Sequence, residues 1–250
     1  MGTHVERVVV FGSSTAHGMG ATNHYGWAQM LERRYYELNA DLDIGSHGQL
    51  ASSFYNQAIP GLRSVDLAPW AGQALTSRAL DHRSELLPPD KVLSVVSLGG
   101  NDAWVRHSDG KTKVSEGDFS THMTTIAQTL AARSRVLFVG PPSIDETKNS
   151  VFHGLPTRPQ FESFQQYEAT AADIFRKVGG RAVELVTCTQ YEIDYFDHIR
   201  EDGAHPDDKG HTWIYHQVCP WFDAMVSIPM QPAVWAADCE PAGTSSSIQI

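Results

Sequence analysis

The chain has 250 residues, with 29 acidic against 19 basic side chains and a formal charge of −10. That length fits one sizeable domain or two small ones, and 41% hydrophobic residues spread along it exclude global disorder. The acidic balance argues against nucleic-acid phosphates or anionic lipid as partners, and no run approaches the roughly 20 apolar residues of a membrane span.

The amino terminus passes from Met1-Gly2-Thr3-His4 straight into Val8-Val9-Val10-Phe11, with no signal-peptide pattern. As written, this predicts a soluble, cytoplasmic protein. The β-branched run from Val8 to Phe11, stopped by Gly12-Ser13-Ser14, predicts a strand buried on both faces. Trp27, Met30, Leu31, Tyr35 and Leu38 then recur at helical spacing. Phe54-Tyr55 is a short apolar piece leading into Asn56 to Gly61, and Leu67 to Leu80 reads as a weaker helix.

Lys91 to Leu98 is a second buried-strand pattern, stopped by Gly99-Gly100-Asn101-Asp102. A helical stripe of Phe119, Met123, Ile126 and Leu130 precedes a strand from Val136 to Val139, which Pro141-Pro142 stop. The polar stretch that follows, roughly twenty residues, is longer than ordinary connections and predicts a functional or mobile loop. Phe161, Phe164, Ala171, Phe175 and Val178 form the next stripe, and Ala182 to Val186 is expected as the fifth strand. Ile214, Val218, Trp221, Phe222 and Met225 line a last helix.

Alternating strands and helices predict an α/β fold with a mainly parallel sheet, in one domain over 1–228. Residues 229–250, rich in proline and serine, are expected as a surface-packed or disordered tail. Cys188, Cys219 and Cys239 match no zinc spacing and are expected as buried small hydrophobes plus one tail thiol. Nothing in the sequence indicates a homo-oligomer.

Ligands of such sheets collect beyond the carboxyl ends of the strands. There, Gly12-Ser13-Ser14 can lift a serine hydroxyl out of the sheet among free backbone N–H groups. Asp202-Gly203-Ala204-His205-Pro206 can supply an imidazole and a carboxylate from one turn, the pair a serine nucleophile requires. Asn101 and a glycine N–H such as that of Gly61 are neutral donors of the type that stabilises an oxyanion.

Ser14 and Gly18 after the first strand, Gly61 after the second, Gly99-Gly100-Asn101-Asp102 after the third, and Asp202 to His205 with Gly210-His211 before the last helix form an ordered set. The set resembles the SGNH hydrolases, also called the GDSL esterase and lipase family, from Val8 to about Phe222. The resemblance implies a three-layer α/β/α sandwich with a central parallel sheet of about five strands, flavodoxin-like. It implies Ser14 as nucleophile, His205 as general base and acid, and Asp202 as the orienting carboxylate. The oxyanion hole would comprise the N–H groups of Ser14 and Gly61 and the amide of Asn101, with no cofactor and no metal. One departure is Ser13, which stands where the family has aspartate.

The reading is a serine esterase acting on a small-molecule or carbohydrate ester, with a short acyl group such as acetyl. Trp104 and His107 are expected on one wall of the site and residues 143–159 on another. Two other readings stay open. One is a metal-dependent hydrolase using His198, Asp202, His205, Asp207, Asp208 and His211. The other is a catalytically silent binding module, motivated by Ser13.

Overall fold

The computed structural model describes residues 4–40, 52–81, 83–148, 155–189 and 193–227. Five parallel strands form the central sheet: β1 (Arg7–Gly12), β2 (Ser53–Asn56), β3 (Val92–Ser97), β5 (Arg135–Val139) and β7 (Arg181–Val183). Their order is β2-β1-β3-β5-β7. A two-stranded antiparallel ribbon, β4 (Val105–Arg106) with β6 (Thr157–Arg158), stands apart from it.

The continuous apolar runs follow from burial on both faces of the sheet. Val8 and Val10 of β1 point into one core with Val95, Leu137 and Val139, covered by α2 (Trp27–Asn39) and α9 (Asp208–Ser227). Val9 and Phe11 point into the other with Val96 and Phe138, under α4 (Ala71–Arg78), α6 (Glu116–Ala131) and α7 (Phe161–Lys177). The expected sandwich is therefore present. The helical stripes read from the sequence are the buried faces of these helices: Leu31 and Tyr35 on α2, Phe119 to Leu130 on α6, Ile214, Val218 and Phe222 on α9.

Two boundaries differ from expectation. The helix expected over Leu67 to Leu80 is two helices, α3 (Ser64–Leu67) and α4, because Pro69 has no N–H to continue the first. The strand expected over Ala182 to Val186 ends at Val183, and Leu185–Thr189 is helix α8. The cause is Glu168, whose carboxylate accepts the N–H groups of Val186 at 2.8 Å and Thr187 at 3.1 Å. Glu168 sits inside the apolar stripe of α7, and burial pushes its carboxyl up to about 8.

Cys188 and Cys219 are only half-buried, not the buried hydrophobes expected. Cys219, on α9, packs at the edge of the core with Sγ 3.4 Å from the Tyr215 hydroxyl. Cys239 and the expected tail lie outside the described residues.

Gly140, just past β5, packs so closely on Glu168 that a Cβ there would fall inside the carboxylate. Its hydrogen bonds to α8 leave Glu168 no freedom to yield. Gly140→Ala is expected to lower stability by about 1–3 kcal/mol, read as an earlier urea midpoint at unchanged slope.

Candidate active site

The order of the sheet reverses between β1 and β3, and the crevice beyond their carboxyl ends is where such folds bind ligands. A cavity of about 280 Å³ lies there, and Ser13, Ser14, Gly61, Asn101, Trp104 and His205 are among its lining residues.

Ser14 opens the one-turn helix α1 (Ser14–His17) directly after β1. Ser13 before it also faces the cavity and makes no side-chain bond to cap α1. Helix α1 ends at Gly18, whose left-handed φ of 96° turns the chain back toward α2.

The second strand carries its turn to the same place. Beyond β2, the N–H of Gln57 donates to Val10 O at 2.8 Å and that of Ile59 to Gly12 O at 2.9 Å, which extends the ladder past the end of β1. Asn56 Nδ2 donates to Ala16 O at 2.9 Å and ties this segment to α1. Gly61 follows with φ +83°, a conformation that favours glycine, and it reaches the cavity wall. Asn101, in the helical turn α5 (Gly100–Ala103) after β3, donates one amide hydrogen to Leu62 O at 3.2 Å.

The turn before α9 brings in the imidazole. His205 Nε2 is 2.9 Å from Ser14 Oγ, and Nδ1 is 2.7 Å from Asp202 Oδ2. An ionised Asp202 fixes the tautomer: Nδ1 carries the hydrogen and Nε2 accepts from the serine hydroxyl. Burial alone would raise the Asp202 carboxyl. The His205 ring and the N–H groups of His205 and Ala204, both donating at 2.9 Å, outweigh burial and hold it at about 2.

His211 supports this loop from behind. Its Nδ1 accepts the Trp27 N–H at 3.3 Å, so Nε2 donates to Met19 O at 3.0 Å. Burial lowers its pKa, which suits the neutral ring those two bonds require.

The six residues considered as metal ligands do not converge. Asp208 holds Thr22 through N–H and hydroxyl at 2.6 and 2.7 Å, Asp207 accepts the N–H groups of Lys209 and Gly210, and His211 is committed as above. His198 Nδ1 lies 3.4 Å from Asp207. Among the described residues no three His, Cys, Asp or Glu side chains form a metal-binding group.

Trp104 lines the cavity, as expected, with Lys113 Nζ over its ring at 4.6 Å. His107 does not. It is exposed, because β4 carries the chain away from the mouth and its N–H is bonded to Pro156 O at 2.9 Å. The wall expected from residues 143–159 is not there either: none of its described residues lines the cavity, the β4–β6 ribbon pairs Thr157–Arg158 with Val105–Arg106, and residues 149–154 lie outside the described residues. Pro141, Pro142 and Phe164 also line the cavity. Phe164 went unmarked in the sequence because its place in an apolar stripe read as core.

A family model for the GDSL-like lipase/acylhydrolase family matches residues 10–213. The chain belongs to that family. Among curated relatives, the isoamyl acetate-hydrolyzing esterase 1 homolog of Mus musculus is 24% identical over 143 residues. That match covers 54% of this chain and 57% of the mouse protein, so the chain spans little more than half of that relative. A GDSL esterase/lipase of Arabidopsis thaliana is 24% identical over 216 residues, covering 82% of this chain and 73% of the plant protein. Among solved structures, a lipase/acylhydrolase from Enterococcus faecalis superposes with TM-score 0.63 at 14% identity, over 91% of this chain and 100% of that one. An acetyl xylan esterase from Geobacillus stearothermophilus gives 0.61 at 13% identity, over 91% and 97%. This GDSL-family fold has no helix, among the described residues, long and apolar enough to cross a membrane.

Because the folded Asp202 carboxyl lies below its unfolded value, its contribution to stability is present above about pH 4 and is lost as pH falls toward about 2. Asp202→Asn is expected to show a lower urea midpoint than wild type near neutrality, with the gap closing over that acid range. A gap that stays constant down to about pH 2 would contradict the assignment.

Proposed function

We propose that this protein is a serine esterase that hydrolyses carboxylic esters through an acyl-enzyme on Ser14. The observation that carries the reading is the unbroken chain of hydrogen bonds from Ser14 Oγ through the His205 ring to Asp202, at 2.9 and 2.7 Å, opening on a cavity. Family membership supports the reaction class, and both curated relatives named above are called esterases.

In the proposed mechanism Ser14 Oγ attacks the ester carbonyl as its proton passes to His205 Nε2. Asp202 stabilises the imidazolium that forms. Ser14 N–H, Gly61 N–H and Asn101 Nδ2 surround the carbonyl oxygen as it becomes an oxyanion. Collapse of the tetrahedral intermediate expels the alkoxide, which takes the proton from Nε2 and leaves as the alcohol. Water then gives its proton to Nε2 and attacks the acyl carbon. The second tetrahedral intermediate releases the carboxylic acid and returns the proton to Ser14.

The substrate we assign is a short acyl group, acetyl first, on an alcohol or sugar hydroxyl. Pro141, Pro142, Phe164 and Trp104 wall a cavity of only about 280 Å³, which suits a small acyl chain. The mouse relative is named for an acetate ester and the Geobacillus neighbour for acetyl xylan.

Ser14→Ala is expected to reduce turnover of a nitrophenyl acetate by about 10³-fold or more, and a fluorophosphonate to label wild type at Ser14. Full ester turnover in Ser14→Ala would end this mechanism, and an unlabelled Ser14 would mark a binding module. Asn101→Ala is expected to cost roughly 10²-fold in kcat with little change in KM. Rates along a nitrophenyl ester series are expected to fall from acetyl to octanoyl; a rise would contradict the acyl assignment.

A further inference from the structure

Asp102 follows Asn101, is fully buried, and does not line the cavity. Its carboxylate faces Ser64 of the neighbouring loop. Oδ1 accepts the Ser64 N–H at 2.9 Å and the Ser64 hydroxyl at 2.6 Å, and Oδ2 lies 3.2 Å from the same N–H. The Ser64 oxygen is in turn 3.3 Å from Nδ1 of His122 on α6. Since the Ser64 hydrogen goes to the carboxylate, Nδ1 of His122 is the donor in that contact.

Ser64 stands three residues after Gly61, and Asn101 donates to the intervening Leu62 carbonyl. The segment 61–64 is thus tied twice to residues 101 and 102, once by an amide and once by a buried carboxylate. These are the two loops that carry the Gly61 N–H and the Asn101 amide. A single amide bond between them would act as a hinge; the second attachment removes that freedom.

We propose that Asp102 is a positioning residue for ester hydrolysis, which through Ser64 sets the spacing of the Gly61 and Asn101 donors around the reacting oxygen. The inference rests on the serine-esterase reading above. Oxyanion donors work only when placed within a few tenths of an ångström of the transition-state oxygen, and a misplacement of about 1 Å costs on the order of 10²-fold in rate.

The chemistry of the site favours this role over simple packing. A buried carboxylate carries a desolvation cost that a well-packed apolar residue does not. Burial raises Asp102 to about 6 even against the Ser64 hydrogen bonds and the field of Arg63. Among the described residues no cation is bonded to it: Arg63 is held by Asp66, and Lys113 lies over Trp104. The gain from the charge is directional. It grips a backbone N–H and a hydroxyl of one residue at once, which an apolar side chain cannot do.

The test compares Asp102→Asn, Ser64→Ala and Ser64→Thr with wild type on nitrophenyl acetate. Rates are divided by the sites titrated to end point with a fluorophosphonate, so that misfolded enzyme is not counted. Asp102→Asn keeps the shape and an acceptor at Oδ1 but removes the charge and sets an NH2 donor, in place of Oδ2, 3.2 Å from the Ser64 N–H. It is expected to lower kcat per titrated site about 10²-fold with KM within about threefold, and to weaken a trifluoromethyl ketone, which mimics the tetrahedral intermediate, in proportion. Ser64→Ala is expected to lose about tenfold, and Ser64→Thr, which restores the hydroxyl, to stay near wild type.

Unchanged kcat per titrated site in Asp102→Asn, or a loss confined to the titratable fraction, would overturn the proposal. If Asp102→Asn does not fold, equal kcat in Ser64→Ala and Ser64→Thr overturns it. Ser14→Ala, run alongside, separates the two levels: its inactivity with a normal Asp102→Asn sinks the positioning role alone, while its full activity sinks the esterase reading beneath it.

Discussion

The hydrogen bond between Ser14 and His205 joins groups 191 residues apart, and it exists only because a sheet buried on both faces fixes the ends of its strands. Strand β1 has no solvent-facing side on which to slide, since a shift of one residue would exchange its two cores. Its carboxyl end is therefore a fixed point from which Ser14 projects. Helix α9 closes the other side by packing Ile214, Val218 and Phe222 against the same sheet, so the turn preceding it arrives at a set distance. His211 then ties that turn to Met19, beyond α1, and to Trp27, at the start of α2.

Three buried or half-buried carboxylic acids around this framework differ in acidity for reasons their surroundings make plain. Asp202 collects donors from a ring and two backbone groups and sits at about 2. Asp102, fully buried and held chiefly by the Ser64 N–H and hydroxyl, sits at about 6. Glu168, equally buried in the stripe of α7, is pushed up to about 8. Burial leads in all three, and the supply of hydrogen-bond donors decides how far each carboxyl departs from its ordinary range. The same chemical group thus orients an imidazole at the site and caps a helix at α8.

The parts of the fold legible in the sequence were those governed by local pattern. β1, β3 and β5 stood out as apolar runs because both faces of each are covered. Ser14, Asp202 and His205 stood out because their residue types and turn context suit one chemistry. What was not legible depended on residues distant in sequence. α8 begins at Leu185 rather than continuing β7 because Glu168, on another helix, offers its carboxylate to Val186 and Thr187. Glu168 did leave a trace, as an acidic residue at helical spacing between Phe164 and Phe175. His107 carried no such trace: only the pairing of β4 with β6 shows that the chain has left the mouth by that point.

The two sides of the cavity are held unequally. Around Gly61 and Asn101 the backbone is cross-braced by Asn56, Asp102 and Ser64, whereas the side bearing Trp104 rests on two short strands outside the main sheet. Changes in β4 and β6 would reach the cavity through Trp104, which directly precedes β4, and would leave the ties made by Asn56, Asp102 and Ser64 in place.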